Sequence, residues 1–267
     1  MNDYEQNISE HLMIFDGHAV AFYSWFTSEP NRVQPGFFSL FERAINKYNP
    51  DHVVVAFDPP PPTFRHLIYP AYKAQRPPVP AALLEGCETV RRELDSQGIR
   101  YITVPGYEAD DVIGTLSKQA ENSGMQTTIV TSDLDLLQLV SPSVQVEVFS
   151  QYWPTRFFDV ARTIQHFNGI DPIRIPDYKA LVGDSSDNLP GVRGIGETSA
   201  YPLLKKYGDL EGIYADLESV VDLPIRGAKR VQNLLRENEE VAFTMKTLTT
   251  IVCDGEIEES CQLVEIL

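Results

Sequence analysis

Four short apolar runs each give way to acid, and that repeated transition limits the folds open to this chain more than any other feature. Leu12 to Phe15 ends in Asp16-Gly17, Val53 to Phe57 ends in Asp58, and Thr127 to Thr131 leads into Ser132-Asp133-Leu134-Asp135. The fourth, Tyr101 to Val104, is followed by Gly106-Tyr107-Glu108-Ala109-Asp110-Asp111. Continuous β-branched runs separated by helix-period stretches, such as Phe37 to Tyr48 and Ala81 to Gln97, read as buried parallel strands of an α/β sheet. In such sheets ligands gather outside the carboxyl ends of the strands. Each of these ends is acidic.

A lone Asp after a strand is ordinarily a turn or helix-capping residue. The acids from Glu108 to Asp111 also open a helical stretch, Val112 to Ala120, where the helix dipole favours each by about 0.3–1 kcal/mol. One or two acids would satisfy that dipole, and it gives no reason for acids at the other strand ends. Read jointly, Asp16, Asp58, Glu108, Asp133 and Asp135 form a carboxylate basin suited to hard divalent cations, magnesium or manganese. Two such ions could activate a water and stabilise a leaving oxygen in phosphodiester hydrolysis. No HExxH motif competes, and the histidines are scattered.

The formal charge of −16 argues against general phosphate binding, so local patches must decide it. The stretch from Pro59 to Pro80 carries Arg65, Lys73 and Arg76 and no acid, with Phe64, Tyr69 and Tyr72 interspersed. Aromatics that stack on bases beside cations that hold phosphates would grip a single strand. A proline-stiffened surface connection fits the same residues. Past Ser150 the pattern turns helical, with Asp184 and Asp187 at i and i+3, and Gly191, Gly194 and Gly196 before a helix around Ser199 to Tyr207. Those glycines could bring backbone N–H groups to a phosphate or simply make a tight turn. Arg226, Lys229 and Arg230 could hold duplex phosphates or form a solvated helix end. No membrane span, signal peptide or disulfide framework is evident (Cys87, Cys253 and Cys261 are odd in number and lack CxxC spacing), which predicts a cytoplasmic protein.

Taken in order, these motifs resemble the 5′ nuclease family, which includes the 5′–3′ exonuclease domain of bacterial DNA polymerase I and free-standing flap endonucleases. The segments that carry the resemblance are Phe15 to Gly17, Ala56 to Asp58, Phe64 to His66, Tyr72 to Arg76, Gly106 to Asp111, Thr131 to Val140 and Gly183 to Gly196. The resemblance implies a mostly parallel, resolvase-like (PIN-like) α/β nuclease domain over 1–170, with a helical arch at about 59–80. A helical lobe with a helix-hairpin-helix would follow over 171–267. It implies one metal cluster from Asp16, Asp58, Glu108, Asp110, Asp111 and Asp133 and another from Asp135, Asp184 and Asp187, with Asp111, Asp133, Lys73 and Arg76 catalytic. Arg65, Tyr72, Lys73 and Arg76 would contact the 5′ strand, and Gly191, Val192, Arg193, Gly194, Ile195 and Gly196 the duplex, with K+ at the hairpin.

On that resemblance the substrate is DNA with a 5′ flap, nick or free 5′ end, RNA-primed ends included. The protein would be a monomer, and any polymerase partner a separate polypeptide. Tyr23, Leu134 and Thr198 stand where relatives often carry cations, which predicts weaker DNA binding. A non-catalytic branched-DNA binder and a ribonuclease are the rival readings.

Overall fold

The computed structural model describes residues 9–28 and 32–265; the N-terminal polar stretch and the last two residues lie outside the described residues. Six strands form one sheet in the order β3-β2-β1-β4-β5-β6. They are β1 (His11–Asp16), β2 (His52–Ala56), β3 (Arg100–Ile102), β4 (Gln126–Thr131), β5 (Val144–Val148) and β6 (Arg156–Phe158). All neighbours pair parallel except β5 and β6. The run of β-branched residues is explained by burial on both faces. Along β1, Leu12 and Ile14 face one core while Met13 and Phe15 face the other.

The second of these cores is covered by α1 (Gly17–Thr27), α2 (Val33–Tyr48) and, beyond the short α3 (Phe64–Ile68), by α4 (Ala81–Ser96). The first is covered by α5 (Ala109–Asn122) and by the helical C-terminal half. That half contains α6 (Val160–His166), α7 (Ile175–Val182), α8 (Glu197–Tyr207), α9 (Leu210–Ala215), α10 (Ala228–Glu237), α11 (Glu239–Thr249) and α12 (Glu256–Ser260). Its apolar residues run without a break into the core beneath the sheet, so the helical half and the sheet share one packed interior.

Strand order reverses between β1 and β4, whose carboxyl ends carry Asp16 and Thr131. A crevice outside the sheet opens at such a switch point. Two elements depart from the sequence reading. The pattern past Ser150 suggests helices alone, yet β6 adds an antiparallel edge strand first. The stretch 59–80, where the resemblance implies an arch, holds one five-residue helix, α3, followed by turns that pack back onto the body. There the Lys73 amide donates to the Asp187 carbonyl at 3.0 Å, and Gln75 donates to the carbonyls of Ser185 and Ser186.

Candidate active site

Asp16 ends β1 and caps α1, accepting from the Ala19 amide at 3.0 Å and from the Thr131 hydroxyl at 2.8 Å. Thr131 thereby ties β1 to β4 across the switch point, and its hydroxyl also accepts from the Asp133 amide at 3.0 Å. Asp58, just past β2, accepts from the Ala109 amide at the start of α5, which fixes that helix against the sheet. Asp16, Asp58, Glu108, Asp110 and Asp133 all line one cavity of about 860 Å³, with Lys73, Arg76, Arg91 and His18 on its other walls. That volume lies within the range of roughly 300–1,000 Å³ typical of ligand clefts.

Two acids in this cavity, Asp16 and Asp110, lie near no cationic partner within ion-pair distance among the described residues. Burial, with the charges of Asp58 and Asp133, raises the Asp16 carboxyl to about 6. Burial, then the charges of Asp133 and Asp16, lifts Asp110 well above the ordinary range. Among the described residues, no hydrogen bond reaches the Asp110 carboxylate. Asp58 differs: burial opposes its charge, but His18, 3.1 Å away, and the Ala109 amide hold it at about 2.

Among the described residues, no three such side chains are grouped closely enough to hold a metal ion as they stand. The donor chemistry nevertheless fits a hard divalent cation, because buried carboxylate oxygens whose mutual repulsion lacks a counter-charge are what such an ion satisfies.

The structure separates Asp111 from this group. Its side chain is fully buried, and both oxygens are taken: Arg65 donates to them at 2.7 and 2.8 Å, the Glu108 amide at 2.9 Å and the Val252 amide at 2.9 Å. With four donors on its two oxygens, Asp111 is taken up in this structure by pairing that ties α5 to Arg65 and to the Val252 backbone. Arg65, only 2% exposed, also donates to the carbonyls of Leu248 and Thr250, so its donors are turned into the protein. Tyr72 is buried too, its hydroxyl 2.9 Å from both Glu108 and Asp187, so it offers no ring for stacking.

Lys73 has a left-handed backbone, φ 53°, uncommon outside glycine and held here by its bonds to Asp187 and Glu108. Its ammonium is 3.0 Å from Glu108, and Arg76 is 2.6 Å from Asp187. Asp135 and Asp184 lie apart from the main cavity and share Lys179, which pairs with Asp135 and lies 2.6 Å from Asp184. Burial and the Asp133 charge raise Asp135 to about 7 despite Lys179. Burial opposes the charge of Asp184 as well, but Lys179 holds it at about 2. Lys179 was not singled out in the sequence. Its only signal is its position on the helix that leads into Asp184.

α7, residues 183–196 and α8 form a helix-hairpin-helix. The hairpin is closed by two 2.8 Å backbone bonds between Asp184 and Leu189. Gly191 has φ 61°, and a Cβ there would sit 2.3 Å from the Gly183 nitrogen, so the crossing of the two backbones requires glycine. Of the hairpin residues expected to contact the duplex, Gly191, Val192 and Ile195 are buried. Arg193, Gly194 and Gly196 are exposed, and Arg230 reaches the Gly194 edge. Two of the missing cations also have structural reasons: Tyr23 packs on Phe149 at 5.1 Å and Leu134 packs against the core, while Thr198 is exposed.

Acids left unpaired at a sheet's switch point, beside cations and a helical hairpin, are the equipment of a nuclease, and comparison with known proteins agrees with that class. The chain belongs to the 5′–3′ exonuclease family, matching its N-terminal resolvase-like domain over residues 11–168 and its C-terminal SAM fold over 170–266. It is 37% identical over 260 residues to DNA polymerase I of Chloroflexus aurantiacus, a match that covers 92% of this chain and 27% of that protein. With DNA polymerase I of Caldicellulosiruptor bescii the identity is 38% over 253 residues, covering 91% and 29%. The chain thus spans under a third of these relatives.

Its fold is similar to that of the T5 5′-exonuclease bound to zinc, with a TM-score of 0.78, 23% identity and coverage of 96% and 99%. It is also similar to the catalytic core of Rad2 in complex with DNA substrate, with a TM-score of 0.54, 19% identity and coverage of 92% and 80%. Among the described residues no helix is long and apolar enough to cross a membrane.

Proposed function

We propose that this chain is a metal-dependent 5′ nuclease that hydrolyses phosphodiesters at the 5′ ends or flaps of branched DNA. One observation carries the reading: Asp16, Asp58, Glu108, Asp110 and Asp133 line a single cavity, and burial with neighbouring carboxylates pushes two of them, Asp16 and Asp110, above the ordinary carboxylate range. These residues would hold Mg2+ or Mn2+, two ions on this reading. When bound, the ions supply a water of lowered pKa and neutralise the leaving oxygen.

The protein's own groups do the rest. Lys73 and Arg76 face the cavity and meet the charge that grows on the phosphate, an electrostatic contribution that is large in a site shielded from water. Thr131 and the Ala19 amide aim Asp16. Asp111, through Arg65, anchors α5 and the 59–80 stretch so that Glu108 and Lys73 stay opposed. Asp135 and Asp184, bridged by Lys179, and Asp187, paired with Arg76, would supply the second metal group.

Arg193, Gly194 and Gly196, with Arg230, offer a cationic and open edge for duplex phosphates. An added Cβ at Gly196 would meet nothing within 4 Å, which leaves room for K+ or a phosphate at the backbone. Partnership with a polymerase, the monomeric state and the cytoplasmic location belong to the same proposal. Incubation of the purified protein with Mg2+ and a 5′-flap duplex should release the flap, and Asp133→Asn should abolish release. Absence of metal-dependent cleavage across a range of salt would overturn the proposal.

A further inference from the structure

The cavity has a second wall that the chemistry above does not use. Arg91, on α4, lines it together with Glu88, whereas Lys73 and Arg76, which the proposed chemistry uses, sit against Glu108 and Asp187. The Arg91 guanidinium lies 4.6 Å from the centroid of the Phe57 ring, which ends the strand run that leads into Asp58. This stacking holds the fork at a fixed height above the sheet, beside the acids.

Its hydrogen bonding is incomplete. Nη1 pairs at 2.5 Å with Glu88, one turn earlier on the same helix and mostly exposed, whereas Nε is buried with no partner. An exposed i,i+3 pair contributes little to stability, and a buried donor without an acceptor is unfavourable. Arg91 therefore stands as a preorganised cation whose present carboxylate is easily displaced. A phosphodiester suits it better, because a planar fork binds phosphate through two donors at once.

Resting on the nuclease reading above, we propose that Arg91 is a binding residue for the DNA strand in the cavity. It holds a phosphate away from the acids, and Glu88 occupies its place when DNA is absent. The acids repel every phosphate nearby, so a strand entering this cavity needs a cation on the far wall. Arg92 provides the internal control. Next in sequence but exposed and turned to Glu88 and Thr89 on the helix surface, it lies outside the cavity.

The test is binding of a fluorescent 5′-flap duplex in EDTA, measured by anisotropy from 50 to 300 mM salt, with folding checked by thermal melting. R91A should weaken binding and lower the slope of log K against log salt by about 0.7, the value for one phosphate contact on a single strand. R92A should match the parent protein. E88Q should tighten binding, and that gain should vanish in the R91A background, an outcome that a merely structural role for Arg91 would not produce. Equal affinities and slopes for R91A and R92A in a parent that binds the flap would overturn this inference alone. A parent that binds no flap DNA would overturn the nuclease reading with it.

Discussion

Removing the negative charge of Asp16 should make the metal-free protein more stable while destroying its activity. The carboxyl sits at about 6 in the folded protein, against an ordinary 3.8, chiefly because it is buried and secondarily because Asp58 and Asp133 repel it. A raised carboxyl means that the folded state holds its proton more tightly than the unfolded chain does. Stability from this group is full below pH 3.8, falls as pH rises through about 6, and is flat above. At ~1.4 kcal/mol per tenfold, the loss above pH 7 comes to roughly 3 kcal/mol.

Asn keeps both hydrogen bonds, since its oxygen can still cap α1 and its amide can donate to Thr131. Asp16→Asn in EDTA at pH 8 should therefore be roughly 3 kcal/mol more stable than the parent, a rise in melting temperature of about 6–12 °C. The difference should vanish near pH 4. Urea denaturation at the two pH values measures it directly. Equal stability at pH 8, or the same difference at pH 4, would refute the claim that the Asp16 charge is uncompensated.

Breaking the Arg65–Asp111 pair should act on folding. Arg65→Ala leaves a buried carboxylate unpaired and should cost about 3–5 kcal/mol in denaturant unfolding. Lys73→Ala should lower kcat by about 10²–10³ in steady-state flap cleavage while leaving KM nearly unchanged, as removal of a group acting on the developing charge does. Arg193→Ala should reduce the salt slope of duplex binding by about 0.9 and leave cleavage of bound substrate intact, checked by single-turnover rates.

The apolar runs and their terminal acids made the central strands and the cavity legible, because a strand buried on both faces must be continuously apolar and its carboxyl end must meet solvent. What the sequence could not supply was pairing at long range. Asp111 looks like its neighbours Glu108 and Asp110, yet Arg65, distant in sequence, claims it through the helix turn on which it sits. The aromatic and cationic residues of 59–80 carry the composition of a single-strand grip, but folding turns Tyr72 and Arg65 inward and leaves Lys73 and Arg76 at the cavity. Lys179 and Arg91 gave no motif; only their position after folding marks them. β6 is three residues long and follows a bend at Tyr152 and Trp153, too short for its period to be read.

Flap cleavage by one sample, first in EDTA and then after addition of Mg2+, tests the central claim most directly. The flap duplex should bind in EDTA without being cut, and Mg2+ should release a short product from the parent but none from Asp133→Asn. A flap that stays bound and uncut at every Mg2+ and Mn2+ concentration would contradict the account and leave a branched-DNA binder in its place.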